Sequence, residues 1–309
     1  MKIYSTKKNH SAYESEKEKK PFKSVNQLLF TGVDGRDVYN PAAPVVYGSN
    51  HILAARTEPR ENHDSFVYLF QNNREKWEPI PEWSPIRLED PFFINIGNIL
   101  HLGAVKTRTL EDGVSMGWST VLFDISDLKN PCQVFQGPMG MKDLRFVEYS
   151  DGQIGVFTRP QGGTAGRGTC GYLETDSLLS LKNDEILNAE LISSPDQNSW
   201  EGINQAFMIS EENVGLLGHI AWMEEGNIRH YYAAVSEFSR KTGIKTPWRI
   251  IAQRSDFPEG PAKRSDLVDV LFPGGIDRLV GSSVKLYVGI SDTEAWECII
   301  PDPFRDVDN

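Results

Sequence analysis

The feature that most constrains the fold of this chain is an internal repeat. Five times, a short β-rich run is followed by a turn and then by a second β-rich run. The five hairpin segments are residues 40–56, 89–106, 142–159, 202–219 and 267–289. A repeat of this kind indicates that each unit packs against its neighbours along the chain.

The repeat unit predicts an all-β fold. One or two further strand-like runs follow each hairpin, which makes each unit a four-stranded antiparallel sheet of roughly 50 to 65 residues. Five such sheets closed in a ring form a five-bladed β-propeller, in which few long sheet edges are exposed. A pair of β-sandwiches is the competing fold, but it does not explain five matching units. The run at 22–30 is suited to form the outer strand that closes the last blade.

The chain divides at residue 21. Residues 1–21 are a mixed charge run with little to bury, so we expect a flexible, charged N-terminal segment. From Phe22 onward the β-rich texture is uniform, which predicts that residues 22–309 form the five-bladed β-propeller as one catalytic domain.

Composition excludes several classes of function. A net charge of −11 argues against general binding of nucleic acid or of anionic membranes. No apolar run approaches the ~20 residues that span a bilayer, and the first residues lack the apolar core of a secretory signal. The three cysteines are widely spaced and indicate neither a disulfide framework nor a zinc site. We therefore expect a cytoplasmic protein without a metal centre.

The repeat brings polar residues to one end of the central channel. In a propeller the first strand of each blade lines the channel, and its start shares one mouth with the end of the second strand. First-strand starts supply Asn40, Glu89, Asp90, Lys142, Asp143, Asn204 and Asp269. Second-strand ends supply Arg56, Lys106, Arg108, Arg159, His219 and Asp292. Each residue alone could be a turn former or a solvated charge, but so many at equivalent positions indicate a site.

The chemistry of this set suits a sugar and an oxyanion. Carboxylates and amides bind sugar hydroxyls, and Asp90 is placed to be a general acid. Clustered Lys, Arg and His side chains suit phosphate. The sequence motifs of P-loop enzymes, of esterases and of zinc proteases are absent. A glycine-rich loop at 162–168 lacks the strand–helix context of a dinucleotide site.

Several motifs resemble those of known β-mannoside phosphorylases. The chain resembles glycoside hydrolase family 130, whose members are five-bladed propellers. It is more similar still to glycosyltransferase family 108, whose members make and phosphorolyse β-1,2-linked mannan oligosaccharides. The motifs are, in chain order, Asn40-Pro41-Ala42-Ala43, Glu89-Asp90-Pro91, Lys142-Asp143-Leu144-Arg145-Phe146, Phe157-Thr158-Arg159-Pro160-Gln161, Gly218-His219, Phe272-Pro273-Gly274-Gly275 and Ser291-Asp292-Thr293.

The resemblance implies a role for each residue at the mouth. Asp90 would be the general acid, and Asn40 and Arg56 would bind the mannose that is transferred. Further substrate contacts would come from Glu89, Asp143, Asn204, Asp269 and Asp292. Phosphate would be held by Lys142 and Arg159, together with Lys106, Arg108 and His219. Inorganic phosphate would be a co-substrate, with no other cofactor, and the partners would be a manno-oligosaccharide and phosphate or mannose 1-phosphate.

The chain departs from the phosphorylase pattern at two positions. Phe92 follows Glu89-Asp90-Pro91 where the phosphorylases usually have Arg, and Thr158 precedes Arg159 where they often have His. Both departures concern the expected phosphate contacts and not the acid.

Four functions fit the sequence. An inverting glycosidase needs an acid and a carboxylate base that activates water. A phosphorylase needs only the acid, because phosphate is already anionic and requires a cationic clamp instead. The first reading is therefore a phosphorylase that releases α-mannose 1-phosphate, and the second a mannosyltransferase that uses a nucleotide sugar. The third is a hydrolase with Asp143, Glu201 or Asp269 as base, and the fourth a propeller that binds a glycan or protein without catalysis.

Overall fold

The strands lie in four largely antiparallel sheets, one of which spans two of the five blades through a short parallel pairing. The structure is a computed structural model, which describes residues 5–17, 22–109 and 116–305. The N-terminal part contains helix α1 (Thr6–Glu16) and the short strands β1 (Ser24–Gln27) and β2 (Leu29–Phe30). The blades follow in chain order.

Each blade begins at the central channel and proceeds outward. Blade 1 contains β3 (Asp37–Tyr39), β4 (Val45–Tyr47), β5 (Asn50–Glu58), β6 (Phe66–Asn73) and β7 (Lys76–Pro79). Blade 2 contains β8 (Glu89–Ile96), β9 (Ile99–Thr109), β10 (Met116–Asp124) and β11 (Cys132–Gln136). Blade 3 contains β12 (Arg145–Glu148), β13 (Ile154–Thr158), β14 (Gly171–Thr175), helix α2 (Asn183–Leu187) and β15 (Glu190–Leu191). Blade 4 contains β16 (Ser199–Met208), β17 (Asn213–Met223), β18 (Arg229–Ser239), β19 (Ile244–Lys245) and β20 (Arg249–Ala252). Blade 5 contains β21 (Asp269–Arg278), β22 (Ser283–Ile290) and β23 (Glu294–Pro301).

The apolar core is divided into five clusters, one at each interface between neighbouring blades. The cluster between blades 2 and 3, for example, contains Phe92 and Phe146, and the cluster between blades 5 and 1 contains Tyr287 and Leu53. The remaining three clusters lie between blades 1 and 2, blades 3 and 4, and blades 4 and 5. Blade 5 therefore packs on blade 1 as every other blade packs on its neighbour, and the predicted five-bladed propeller is confirmed.

The N-terminal strands close the ring. β1 pairs antiparallel with β23, the outermost strand of blade 5 that follows β22, and β2 pairs in parallel with β7 of blade 1. One short segment thus supplies outer strands to the first and last blades, as the sequence predicted for blade 5. This pairing covers two edges that would otherwise expose unpaired backbone groups.

Glycine is required where blades 5 and 1 meet at the channel. A Cβ atom on Gly274 would overlap the carbonyl group of Pro41, and one on Gly289 would overlap Asn40. Both obstacles include backbone atoms, which cannot rotate away as a side chain can. The Phe272-Pro273-Gly274-Gly275 motif therefore has a packing role in closing the ring.

The structure corrects one expectation for the N-terminal segment. Within residues 1–21, which we expected to be a flexible charged run, Thr6–Glu16 form helix α1, and it packs against blade 4. The Tyr13 hydroxyl donates to Asp256 at 2.6 Å, and the His10 ring stacks on Tyr232 with centroids 4.5 Å apart. Residues 1–4 and 18–21 lie outside the described residues, and the domain boundary at residue 21 stays a prediction.

Substitution of Gly274 tests the closure of the ring. Gly274→Ala should lower the free energy of unfolding by roughly 3 kcal/mol, the upper end of the usual cost of overpacking, because the new methyl group meets backbone. The matched control is Gly260→Ala, where the new methyl group would meet only the movable carboxylate of Glu294. Urea denaturation measures both. Equal stability of the two variants would contradict this account of the blade 5 to blade 1 contact.

Candidate active site

The innermost strand of each blade departs from regular pairing at one corresponding point. The register shifts between Glu89 and Phe92 in blade 2, between Ile203 and Gln205 in blade 4, and between Pro273 and Gly275 in blade 5. In blade 1 an irregular segment separates β3 from β4, and in blade 3 the irregular residue lies two residues before the start of β12. The residues at these points are, from blade 1 to blade 5, Asn40, Asp90, Asp143, Asn204 and Gly274.

Three of these residues have a strained backbone. Asn40, Asp90 and Asp143 have φ angles of 49°, 48° and 62°, in the left-handed region that residues other than glycine rarely adopt. All three are buried. Strain of this kind persists only where the surrounding structure enforces it, and it clusters at functional sites. Asp292, which follows β22, has a φ angle of 54° and belongs to the same group.

Arg56 joins the carboxylates of blade 2 to blade 1. Its Nη1 atom lies 3.4 Å from Oδ1 of Asp90 and 3.3 Å from Oε2 of Glu89. Nδ2 of Asn40 donates to the same Oδ1 atom of Asp90 at 2.8 Å. Burial opposes the charged form of Arg56, but Asp90, Tyr39 and Glu89 outweigh it and raise the pKa of Arg56 further. Four of the predicted residues therefore form one hydrogen-bonded group.

The environment raises the pKa of two carboxylates near Asp90, those of Glu89 and Asp292. Burial raises the pKa of Glu89, and the nearby charge of Asp90 adds to that effect while Arg56 opposes it. Burial also raises the pKa of Asp292, with Asp90 and Glu58 as nearby negative charges. Glu89 and Asp292 therefore bind a proton at a higher pH than exposed carboxylates do.

Glu58 anchors Arg56 and was missed in the sequence. Its carboxylate is fully buried and accepts hydrogen bonds from Tyr39, Arg56, Ser65 and Lys263. Burial opposes ionisation, but Arg56, Lys263 and the hydroxyl donors lower the pKa of Glu58 to about 2. Its position two residues after Arg56, on the same face of β5, was the available signal.

The cations lie on blade 3. Burial opposes the charged form of Lys142, but the carboxylates of Asp143 and Asp90 outweigh it and raise its pKa. No described residue forms a hydrogen bond or ion pair with its ammonium group. Nη1 of Arg159 lies 3.5 Å from Oδ2 of Asp143 and has no hydrogen-bond partner among residues 5–17, 22–109 and 116–305. Two buried or half-buried cations thus retain free donors at the mouth.

His219 is near these cations but adds no charge to them. Burial lowers the pKa of His219 to about 3; the charge of Asp143 opposes this change, and the charges of Arg159 and Lys142 act in the same direction as burial. The neutral ring donates from Nδ1 to the side-chain oxygen of Asn204 at 2.9 Å. His219 therefore contributes a neutral ring, and its predicted contact with phosphate stays a prediction.

Two further residues border the cation group and were missed in the sequence. The Tyr231 ring lies beside His219 with centroids 5.4 Å apart, and its hydroxyl accepts a hydrogen bond from Trp200. Arg145 stacks on Phe92 at 3.9 Å and donates from Nε to the Asn204 carbonyl at 2.5 Å. Burial lowers the pKa of Arg145 to about 10. Arg145 joins blades 2, 3 and 4 across the channel, which no local sequence pattern reveals.

Three predicted residues do not join the group. Lys106 and Arg108 are exposed, and Nζ of Lys106 approaches Gln133 of the outer strand β11 at 3.5 Å. Glu89, the first residue of the inner strand β8, pairs with Val105 of β9. Lys106 and Arg108 therefore lie on the part of β9 that extends beyond β8. Asp269 lies five residues before Gly274, the true equivalent in blade 5, and its carboxylate contacts Nδ1 of His230 at 2.6 Å.

The carboxylates considered as hydrolytic bases are engaged elsewhere. Glu201 is fully buried and accepts hydrogen bonds from Cys170 N, Thr169, Ser193 and Trp248. Burial opposes ionisation of Asp143, but Lys142 and Arg159 lower its pKa, which makes it a weak base. Asp269 is paired with His230.

In the part of the chain that is described, no cluster of three or more His, Cys, Asp or Glu side chains has the geometry of a metal site. No described helix is long and apolar enough to span a membrane.

Solved structures include close relatives of this chain. MPT-4, a mannose phosphorylase from Leishmania mexicana solved with a phosphate ion, is 27% identical, with a TM-score of 0.87 over 96% of this chain and 93% of that chain. MPT-1, a GDP-Man-dependent mannosyltransferase from the same organism, is 25% identical, with a TM-score of 0.86 over 99% of this chain and 98% of that chain. These similarities confirm the family resemblance drawn from the sequence.

More distant similarity supports the fold. The β-1,2-mannobiose phosphorylase of Listeria innocua, solved with β-1,2-mannobiose, is 14% identical, with a TM-score of 0.61 over 91% of each chain. Residues 14–306 match the family described as "Protein of unknown function (DUF1861)". No curated protein matches the sequence.

Proposed function

This chain belongs to the DUF1861 family, and we propose that it is an inverting β-1,2-mannoside phosphorylase. The chain is an enzyme, and its relatives MPT-4 and MPT-1 both act in mannosyl transfer. Beyond this general activity, we propose the β-1,2 linkage of the substrate, phosphate as the acceptor and the role of each residue. The observation that carries it is the pair of cations on blade 3: Lys142, whose charge interacts with that of Asp90, and Arg159, whose Nη1 atom is ion-paired with Asp143 but has no hydrogen-bond partner among the described residues.

Asp90 is the general acid in this proposal. Asn40 and Arg56 both approach its Oδ1 atom, which leaves Oδ2 to carry the proton. That proton passes to the oxygen of the leaving sugar as its bond to the anomeric carbon breaks. Arg56, Asn40 and Asp292 bind the mannose that is transferred.

Phosphate is the nucleophile and is bound by Lys142 and Arg159. One of its oxygens forms the new bond to the anomeric carbon from the face opposite the leaving group, so a β-mannoside gives α-mannose 1-phosphate. The Tyr231 hydroxyl, which accepts from Trp200, keeps its own proton to donate to the anion. Bound phosphate would supply the acceptors that the buried donors of Arg159 lack.

Hydrolysis fits the site less well than phosphorolysis. A hydrolase requires a carboxylate base to activate water. Glu201 and Asp269 are engaged by other groups, and the neighbouring cations hold the pKa of Asp143 low. We therefore favour phosphorolysis. A cytoplasmic location, and independence of any cofactor other than phosphate, stay predictions.

Transfer from a nucleotide sugar is a second candidate. MPT-1, whose donor is GDP-mannose, resembles this chain about as closely as MPT-4 does. The same acid, mannose and anion sites would bind a mannosyl diphosphate. Release of GDP from GDP-mannose in the presence of a manno-oligosaccharide, with no activity toward inorganic phosphate, would favour this candidate.

Removal of the acid should abolish turnover while sugar binding remains. Asp90→Asn keeps the acceptor for Asn40 but cannot donate an acidic proton, so kcat should fall roughly 100- to 10,000-fold. The matched control is Asp269→Asn, which alters a carboxylate that lies apart from this group. Initial rates and calorimetric binding of mannobiose measure the effects. Near-normal turnover of Asp90→Asn would place the acid elsewhere.

Removal of a cation should weaken phosphate binding selectively. Each charge-assisted contact is worth about 1.5–3 kcal/mol, so Lys142→Ala or Arg159→Ala should raise KM for phosphate by roughly 10- to 100-fold. KM for the mannoside should change far less. Lys106→Ala, which removes an exposed lysine from the outer part of blade 2, is the control and should behave like the unmodified protein. A larger effect on the mannoside than on phosphate would make this group a sugar site.

A further inference from the structure

The glycine-rich loop at 162–168 contains one glycine that differs from the others. Gly162, Gly163, Gly166 and Gly168 all have positive φ angles. A Cβ atom on any of the first three would meet nothing within 4 Å, so these glycines serve the backbone path of the loop. A Cβ atom on Gly168 would lie 2.9 Å from Nη2, 3.1 Å from Cζ and 3.2 Å from Nε of Arg159. The loop therefore rests on the guanidinium group at this one residue.

The contact fixes Arg159 from one side, and strand β16 fixes it from another. Nε of Arg159 donates to the Glu201 carbonyl at 2.6 Å, and the Glu201 amide donates to the Gly168 carbonyl at 3.1 Å. A Cβ atom on Gly202 would lie 3.1 Å from Cδ of Arg159. Gly168 and Gly202 thus leave a slot that the Arg159 side chain occupies. The hydrogen bond from Glu201 to Gly168 joins the loop to β16.

Among the described residues, one buried donor of the guanidinium group has no hydrogen-bond partner in this slot. Nη1 is buried, has no hydrogen-bond partner among the described residues, and lies 3.5 Å from Asp143 at the mouth. A buried donor without a partner is unfavourable, and a bound oxyanion supplies the missing acceptor. The direction of that edge depends on the slot, because an arginine otherwise rotates freely about its side-chain bonds.

We propose that Gly168 is a positioning residue for the phosphate site, which acts by leaving space for Arg159 and by aiming its Nη1 edge at the bound anion. This inference rests on the proposed function. It gives the glycine-rich loop at 162–168 a role in phosphate binding, which no sequence motif indicated. A methyl group at residue 168 displaces the guanidinium group or the loop by several tenths of an ångström or more, and it does so without removing any charge.

The test compares Gly168→Ala with Gly162→Ala. Gly162 has φ 84° and ψ 167°, a backbone conformation equally restricted to glycine, so both variants strain the loop but only one contacts Arg159. Calorimetric titration with inorganic phosphate should show a Kd raised on the order of 10- to 100-fold for Gly168→Ala and little changed for Gly162→Ala. Binding of mannobiose should be unchanged in both, which also confirms that they are folded.

A double-mutant cycle shows whether Gly168 acts through the arginine. In an Arg159→Ala background, Gly168→Ala should have no further effect on phosphate affinity, because the group that it positions is absent. Equal phosphate affinities of Gly168→Ala and Gly162→Ala would overturn the inference and leave the proposed function intact. Additive effects in the double variant would overturn it too. If the unmodified protein does not bind phosphate, both the proposed function and this inference fail.

Discussion

The ion pair between Arg56 and the carboxylates of Glu89 and Asp90 is the contact on which the site depends. It joins blade 1 to blade 2 at the mouth of the channel, and it is buried. A buried cation of this kind is tolerated only with full compensation, which Glu58 provides from the other side. Loss of one partner would leave an unpaired charge in the channel, so the positions of the acid and of the sugar-binding groups are strongly determined.

The arrangement separates negative from positive charge across one cavity mouth. Carboxylates dominate where blades 5, 1 and 2 meet, and cations dominate on blade 3. The bulged or left-handed residues of the inner strands make this possible, because a regular strand would alternate its side chains between the two faces of the blade. Local backbone strain at Asn40, Asp90 and Asp143 is thus the structural basis of the site.

The repeat in the sequence was sufficient to predict the fold, and it located several residues that the structure brings together at the mouth, whose roles stay predictions. Residues such as Asn40, Asp90, Asp143 and Asn204 are at equivalent points of their hairpins, so counting from the turn locates them. The same counting failed for Asp269, because the bulge of blade 5 contains Gly274 and has no polar side chain to mark it. It failed for Lys106 because strand β9 continues beyond its inner partner, and a sequence pattern does not show where pairing ends. Arg145 was missed because Phe92 and Asn204, which it contacts, belong to other blades. Glu58 was missed although its spacing from Arg56 on β5 was a local signal, because Lys263, which completes its hydrogen bonds, is distant in the sequence.

The central claim is that phosphate, and not water, accepts the mannosyl group. Incubation of the purified protein with β-1,2-mannobiose, with and without inorganic phosphate, tests it directly when followed by ³¹P NMR and by sugar analysis. The account predicts α-mannose 1-phosphate and mannose in equal amounts when phosphate is present, and no cleavage without it. Release of mannose at the same rate in both samples, with no sugar phosphate formed, would contradict it.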